Sequence, residues 1–129
     1  MSFPEDFKYT KEHEWVKLED NIATIGITDH AQEQLGTIVF VELPEDGDEV
    51  KKGESIGVVE STKAVSDVFS PVSGVITDVN QPLVDSPETI NDDPYEEGWL
   101  VKIEMSDSSE IEELMNSEEY GNFVKEEAD

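Results

Sequence analysis

Residues 55–69 read SIGVVESTKAVSDVF, and this stretch decides the fold. Apolar and mostly β-branched residues dominate 56–59 and 65–69, which is typical of strands. The residues between them include no glycine, proline or asparagine, so they can form a tight turn without being chosen for turning alone. The stretch predicts a β-hairpin with Lys63 at its tip, where an amine is solvated, rigidly based and open to a modifying enzyme. An exposed turn lysine is most often merely solubilising, so position alone does not decide its role.

Strand signals continue on the N-terminal side of this hairpin. Residues 15–18 and 22–27 alternate in polarity around a short turn, which predicts a second hairpin. Thr28 is placed to cap a short helix over 30–35, and Gly36 to end it. The apolar run 38–41 then predicts a buried strand that ends at a proline- and glycine-containing turn.

On the C-terminal side, residues 65–70 and 72–79 predict two more strands, the second interrupted at Ser73 and Gly74. Pro87 follows a serine and marks a helix start. Residues 99–103 predict a final strand.

Two apolar strands of this set each contain one glycine, Gly26 and Gly57, at a spacing of 31 residues. Glycine inside a strand often marks a bulge or a close backbone approach. The short match suggests a duplicated β-unit folded about a pseudo-twofold axis.

The C-terminal segment changes to a helical period, with apolar residues at Ile111, Leu114, Met115, Phe123 and Val124. This predicts an amphipathic helical segment over about 107–125, capped by Ser106 or Ser109, interrupted at Gly121 and packed on the β-core. We therefore expect a mainly β fold with short helices (α+β). We expect one domain over 1–129, with its core over about 22–104.

Charge is the strongest global feature. The 129 residues contain 33 acidic residues, eight lysines and no arginine, for a formal net charge of −25. Such a surface repels nucleic-acid phosphates and anionic membranes, so neither is an expected partner. The charge indicates a salt-adapted source or partners with basic docking faces.

The chain contains no cysteine, so any redox sulfur must come with a cofactor. No run of about 20 apolar residues is present, which argues against a transmembrane helix. The first six residues lack the basic and apolar regions of a signal peptide. These features favour a cytoplasmic protein, or a mitochondrial matrix protein if the chain is a mature eukaryotic form.

The motifs around Lys63 resemble the lipoyl-attachment region of the glycine cleavage system H-protein family. The resemblance rests on Gly53, Gly57, residues 60–64, 66–67 and 70–74. It continues through most of the chain, in blocks at 8–9, 13–15, 25–28, 31–32, 35–36 and 39–44 before this region, and at 85–87, 90–91, 94–95, 98–99 and 120 after it.

The resemblance implies lipoate in amide linkage to Lys63 and a single-domain lipoyl/biotinyl-type β-hammerhead (barrel-sandwich hybrid) of two quasi-symmetric sheets, with N-terminal additions and a C-terminal amphipathic helix. It also implies a monomeric, non-catalytic carrier. The lipoyl arm would take an aminomethyl group from a pyridoxal-phosphate glycine decarboxylase to a tetrahydrofolate-dependent aminomethyltransferase. A dihydrolipoyl dehydrogenase would reoxidise the arm, and a lipoate-attaching enzyme would load it.

The resemblance places Glu14, Asp67 and His30 near a cleft that shelters the loaded arm. By residue type alone, the two acids are two of 33, most of which only face solvent, and His30 is more often a local hydrogen-bonding residue. His13 and His30 lie far apart in sequence without a third-ligand pattern, so we expect no metal site. The aromatic residues Tyr9, Trp15, Tyr95 and Trp99 are expected in the core or cleft walls.

Other functions remain open at this point. A specialised H-like carrier could serve sulfur oxidation or relay lipoate to 2-oxoacid dehydrogenases. A lipoyl domain of an acyltransferase would be shorter, and a biotin carrier would have methionine on both sides of Lys63. A stand-alone hydrolase lacks a recognisable motif. A purely acidic interaction module would explain the charge but not the ordered motifs.

Overall fold

The computed structural model describes residues 3–128 and is built mainly from short antiparallel strands. In chain order the elements are β1 Lys8–Tyr9, β2 Glu14–Glu19, β3 Ile22–Ile27, α1 Asp29–Leu35, β4 Ile38–Glu42, β5 Glu49–Val50, β6 Ser55–Ser61, β7 Val65–Phe69, β8 Gly74–Val79, α2 Pro82–Asp85, α3 Thr89–Asp92, β9 Val101–Met105, a 3₁₀ helix Ser108–Glu113 and α4 Ser117–Ala128.

The strands form two sheets that share one hydrophobic core. The larger sheet has the order β1-β2-β3-β9-β8-β5, and the smaller has the order β4-β6-β7. Both sheets contribute fully buried side chains, such as Ile25 and Ile103 from the larger and Ile38 and Val59 from the smaller. Because these side chains lie in one cluster, the two sheets stabilise each other by excluding water between them.

Both predicted hairpins form. Residues Glu14–Glu19 and Ile22–Ile27 pair throughout in antiparallel register. The predicted helix also forms as α1: the Thr28 side chain accepts a hydrogen bond from the Ala31 amide, and Gly36 ends the helix with a φ of 84°. A φ in this region strains any residue with a Cβ, which explains the glycine.

The predicted burial of the run 38–41 is wrong for two of its residues. Ile38 and Val41 are buried, but Val39 is 50% exposed and Phe40 is 47% exposed. The pairing of β4 with β6 shifts register between Ile38 and Phe40, and only one face of the small sheet meets the core. The next difference is that the strand predicted from residue 72 begins at Gly74.

The C-terminal segment differs from the single interrupted helix that the spacing predicts. It consists of the 3₁₀ helix and α4, and the break lies between them rather than at Gly121, which is inside α4. The side chain that caps the 3₁₀ helix belongs to Asp107, not to Ser106 or Ser109.

Between β8 and β9, the chain also forms α2, which no sequence pattern predicted. The helix expected at Pro87 begins as α3 at Thr89, two residues after Pro87.

A second, aromatic cluster joins the N-terminal strands to α4. It consists of Phe7, Tyr9, Trp15 and Tyr120, and the rings of Tyr9 and Tyr120 stack with centroids 4.7 Å apart. This cluster fixes both ends of the described chain against the β-core. Among residues 3–128, no helix is both long and apolar enough to cross a membrane.

Candidate functional site

Lys63 lies at the exposed tip of the β6–β7 hairpin, as the sequence predicts. Pairing of the two strands ends at Glu60 and Val65, and residues 62–64 form the connecting turn. The side chains of Thr62, Lys63 and Ala64 are all exposed. The amine is therefore accessible from several directions.

A single hydroxyl group holds this turn. Ser61 Oγ accepts hydrogen bonds from the backbone amides of Lys63, at 3.1 Å, and Ala64, at 3.0 Å. The Ser61 amide donates to the Ala64 carbonyl at 2.8 Å, and the Thr62 amide donates to the Thr37 carbonyl at 3.1 Å. These bonds close the turn and attach it to the segment between α1 and β4, so the tip is rigid without glycine or proline.

The Lys63 side chain lies over Gly36, the residue that ends α1. A Cβ added at Gly36 would come within 2.9 Å of Lys63 Cε. The absent side chain therefore leaves a shallow groove for the lysine methylenes, and the left-handed backbone of Gly36 keeps larger residues out of this position.

Two exposed apolar side chains, Phe40 and Val65, flank Glu60 on one face of the small sheet beside the tip. Phe40 pairs with Glu60, and Glu60 pairs with Val65, so these three side chains share one face of the sheet. Val65 is 66% exposed and stands two residues from Lys63. We call Val39, Phe40 and Val65 the apolar patch.

Glu14 is nearly inaccessible and lines a cleft of about 230 Å³, whose surface is mostly apolar but also includes Lys11, Glu12, Lys52 and Glu113. The side chains of Tyr9, Leu114 and Met115 form part of its walls. Thr10 Oγ1 donates to Glu14 Oε1 at 2.6 Å, and the Phe69 amide donates to Oε2 at 3.1 Å. Burial raises the pKa of Glu14 to about 7, with a smaller contribution from Glu12 and against the effect of the two hydrogen bonds.

The other two candidates from the sequence, Asp67 and His30, do not line the Glu14 cleft. Asp67 is exposed on β7, two residues before Phe69, and accepts a hydrogen bond from Ser55 Oγ at 3.3 Å. His30 lies in a separate pocket with His13, Gln34 and Glu127. Strand β7 therefore connects the Lys63 tip with the Glu14 cleft, while His30 belongs to a different cluster.

The two histidines, which lie 17 positions apart in sequence, are neighbours in space. Their ring centroids are 4.8 Å apart. His13 Nε2 lies 3.0 Å from Glu127 Oε2, and His30 Nε2 lies 3.7 Å from the same oxygen. Burial lowers the pKa of His13, and the nearby Glu127 carboxylate opposes this effect.

Sequence reasoning missed three residues that shape these sites: Ser61, Thr10 and Glu127. Ser61 is two residues before Lys63, which is a recognisable position for a hydroxyl that binds turn amides. The hydrogen bond between Thr10 and Glu14 depends on the irregular chain between β1 and β2. The position of Glu127 beside His13 and His30 depends on where α4 packs. No local pattern predicts either of these two.

Comparisons with known proteins identify the family of the chain. The family model described as glycine cleavage H-protein matches residues 7–127. A glycine cleavage system H protein from Anaeromyxobacter sp. (strain K) is 59% identical over 126 residues, covering 98% of both chains. One from Staphylococcus epidermidis (strain RP62A) is 56% identical over 126 residues, covering 98% of this chain and all of its own.

A solved structure gives the same result for the fold. The crystal structure of a glycine cleavage system H protein from Mycobacterium marinum superimposes with a TM-score of 0.89 at 43% identity, covering 95% of this chain and 99% of the other. The expected lipoyl-type β-hammerhead fold is thereby confirmed. The chain belongs to the glycine cleavage H-protein family.

Proposed function

We propose that this protein is the lipoyl carrier of a glycine cleavage system and that Lys63 is its attachment residue. In this role the chain is a substrate-carrying subunit rather than an enzyme. Its cofactor is lipoate in amide linkage to Lys63 Nζ. The observation that carries the proposal is the exposed Lys63 at a rigid hairpin tip, in a chain of this family.

The residues at the tip suit a covalently attached arm. Attachment requires Lys63 Nζ to attack the activated carboxyl carbon of lipoate, so that the amide forms and the activating group leaves. The exposed turn leaves room for an attaching enzyme, and the groove at Gly36 accommodates the methylene chain without a clash. Once attached, the lipoyl group supplies the sulfur that accepts the aminomethyl group and the dithiol that is later reoxidised.

The Glu14 cleft is the proposed shelter for the loaded arm. Its mostly apolar surface can contact the methylenes of the arm, and the buried carboxylate can bind an ammonium group by a charge-assisted hydrogen bond. A cation beside Glu14 favours the carboxylate form and lowers the pKa that burial has raised. Asp67 and His30 stay candidates for the same role, although each has other neighbours in the unloaded chain.

The apolar patch beside Lys63 is the proposed contact for enzymes that handle the arm. Burial of exposed Phe40 and Val65 against a partner gains roughly 25 cal/mol per Å² of apolar surface. The partners are a glycine decarboxylase, an aminomethyltransferase, a dihydrolipoyl dehydrogenase and a lipoate-attaching enzyme. We place the protein in the cytoplasm, or in the mitochondrial matrix if it is a mature eukaryotic form. The names of the relatives favour glycine cleavage over a relay for 2-oxoacid dehydrogenases or sulfur oxidation.

The proposal is tested by enzymatic lipoylation followed by peptide mass spectrometry. Wild-type protein, incubated with lipoate, ATP and a lipoate-attaching enzyme, should gain one lipoyl group on the peptide that contains Lys63. The Lys63→Arg variant keeps the charge but cannot form the amide, so it should gain none. In a reconstituted system, only protein that carries the lipoyl group on Lys63 should support release of CO₂ from glycine by glycine decarboxylase.

Lys51→Arg is the matched control, because Lys51 is also exposed and its replacement changes the same chemistry at another site. This variant should be modified as fast as the wild type. Modification of the Lys63→Arg variant at another lysine would overturn the assignment of Lys63. A modified carrier that fails with glycine decarboxylase but accepts electrons from another complex would overturn the glycine cleavage role.

A further inference from the structure

The cluster of His13, His30 and Glu127 brings together three potential metal ligands from distant parts of the chain. His13 precedes β2, His30 lies in α1, and Glu127 lies near the end of α4. One atom of each side chain lies within 4.8 Å of the other two. These are also the only two histidines in the sequence, so all of its imidazole groups meet in one pocket.

Two of the three ligand separations are near those of a tetrahedral metal site, and all three ligand atoms lie within 4.8 Å of one another. In a tetrahedral zinc site with bonds of about 2.0 Å, neighbouring ligand atoms are about 3.3 Å apart. Glu127 Oε2 lies 3.0 Å from His13 Nε2 and 3.7 Å from His30 Nε2, close to this value on either side. We propose that His13, His30 and Glu127 bind one divalent transition-metal ion of the zinc type, with water completing the coordination.

Hydrogen bonding orients the first imidazole for this role. His13 Nδ1 lies 2.7 Å from the Tyr120 hydroxyl, which lies 2.8 Å from Thr28 Oγ1. When His13 Nδ1 carries the proton and donates a hydrogen bond to the Tyr120 hydroxyl, Nε2 presents its lone pair on the side of Glu127. Such an outer partner fixes the tautomer of a metal-binding histidine in known sites. Without metal, Tyr120 can donate instead, and Nε2–H then donates to Glu127.

The two imidazole groups are largely shielded from solvent, and His13 has an unusual backbone conformation. The side chains of His13 and His30 are only 20% and 12% exposed, whereas Glu127 is 41% exposed, so the pocket opens to solvent on the Glu127 side. His13 also has a φ of 70°, an uncommon conformation for a residue with a side chain. Strained residues of this kind occur often at functional sites.

A metal at this position would connect α4 to the β-core. Glu127 comes from α4, whereas His13 directly precedes β2 and His30 lies in α1. Since binding to the folded state alone stabilises it, the ion should raise the melting temperature in proportion to the logarithm of its concentration. This inference assigns His30 to a metal site rather than to the arm cleft, and it does not require Lys63 to carry lipoate.

The experiment is isothermal titration of the full chain with ZnCl₂ in excess Mg²⁺, which occupies non-specific carboxylate sites. Lys63 is left unmodified, because a dihydrolipoyl arm would itself bind zinc, and the chain has no cysteine. We expect one equivalent of Zn²⁺ to bind. Loss of an outer-shell partner already costs roughly 10- to 100-fold in metal affinity. Because Glu127 and His30 are proposed as direct ligands, Glu127→Gln and His30→Gln should each weaken Zn²⁺ binding by at least about tenfold. Titration with Co²⁺ should give the visible absorption of a tetrahedral site.

Glu126→Gln is the matched control, because Glu126 is exposed, adjacent on α4 and carries the same charge. This variant should keep wild-type affinity. The proposal is overturned by the absence of saturable Zn²⁺ binding in Mg²⁺, or by equal weakening in Glu126→Gln and Glu127→Gln. A Zn²⁺-dependent rise in melting temperature that persists in His30→Gln would also overturn it, since the ion would then bind elsewhere.

Discussion

Replacing Glu14 by glutamine tests whether a buried, protonated carboxyl group lies in the proposed arm cleft. The pKa of Glu14 is about 7 in the folded chain against an ordinary value of 4.5, because burial penalises the charged form. Below pH 4.5 the group is protonated in both states, and its contribution to stability is fully present. As the pH rises from 4.5 through 7, the unfolded chain releases this proton while the folded chain keeps it, so stability is lost.

The size of this loss follows from the shift. At 1.36 kcal/mol per pKa unit, the wild type loses about 3 kcal/mol of unfolding free energy across this pH window through Glu14. Glutamine has nearly the same shape and cannot ionise. The difference in unfolding free energy, Glu14→Gln minus wild type, should therefore rise by about 3 kcal/mol between pH 4.5 and pH 8.

Urea denaturation monitored by tryptophan fluorescence at a series of pH values measures this difference. The other acidic groups titrate in both proteins and cancel. Glu33→Gln is the matched control, since Glu33 is exposed on α1, and its difference from wild type should stay within about 0.5 kcal/mol at every pH. A Glu14→Gln difference that does not change with pH would refute the reasoning, because the pKa of Glu14 would then be the same in the folded and unfolded chains.

The remaining predictions concern packing, the tip and the net charge. A Cβ at Gly26 would lie 2.6 Å from the buried Trp15 ring, so Gly26→Ala should lower the unfolding free energy by roughly 1–3 kcal/mol in urea titrations. Gly121 lies in α4, where the added carbon would have no neighbouring atom within 4 Å, so Gly121→Ala should raise the unfolding free energy by up to about 1 kcal/mol. A Gly26→Ala variant more stable than Gly121→Ala would contradict the packing described. Ser61→Ala removes the acceptor of two turn amides and should cost about 1 kcal/mol and slow enzymatic lipoylation, whereas an unchanged rate would show that the turn holds without it. With a net charge of −25, melting temperature in calorimetry should rise from about 0.01 M to 1 M salt, as the screening length falls from about 30 Å to 3 Å; a constant value would exclude acidic repulsion as a destabilising factor.

The sequence predicts the Lys63 hairpin well because the signals for its strands and for its turn lie within a few residues of each other. Two runs rich in β-branched residues, separated by a few residues, predict a hairpin, and the helix over 29–35 carries its own start and stop residues. Burial in β4 is less predictable, since the exposed face of Phe40 depends on a register shift against β6. An apolar run by itself cannot distinguish a buried strand from one with an open face.

The site residues outside the hairpin depend on tertiary packing. Glu14 is one acid among 33 in the sequence, and only its burial in the cleft distinguishes it from the others. Sequence distance suggested that the two histidines were unrelated, but α1 folds back to bring His30 against His13, and α4 adds Glu127. Where short elements surround a β-core, the separation of two residues in the sequence does not predict their distance in space.

The hydroxyl that closes the hairpin turn has a consequence for engineering. Since Ser61 alone binds both turn amides, and Thr62 contributes only its backbone, the side chains at 62 and 64 have no conformational role at the tip. Substitutions at these two positions can alter recognition by an attaching enzyme while the turn keeps its shape. Libraries varied at 62 and 64 are therefore a starting point for carriers that accept only one chosen ligase.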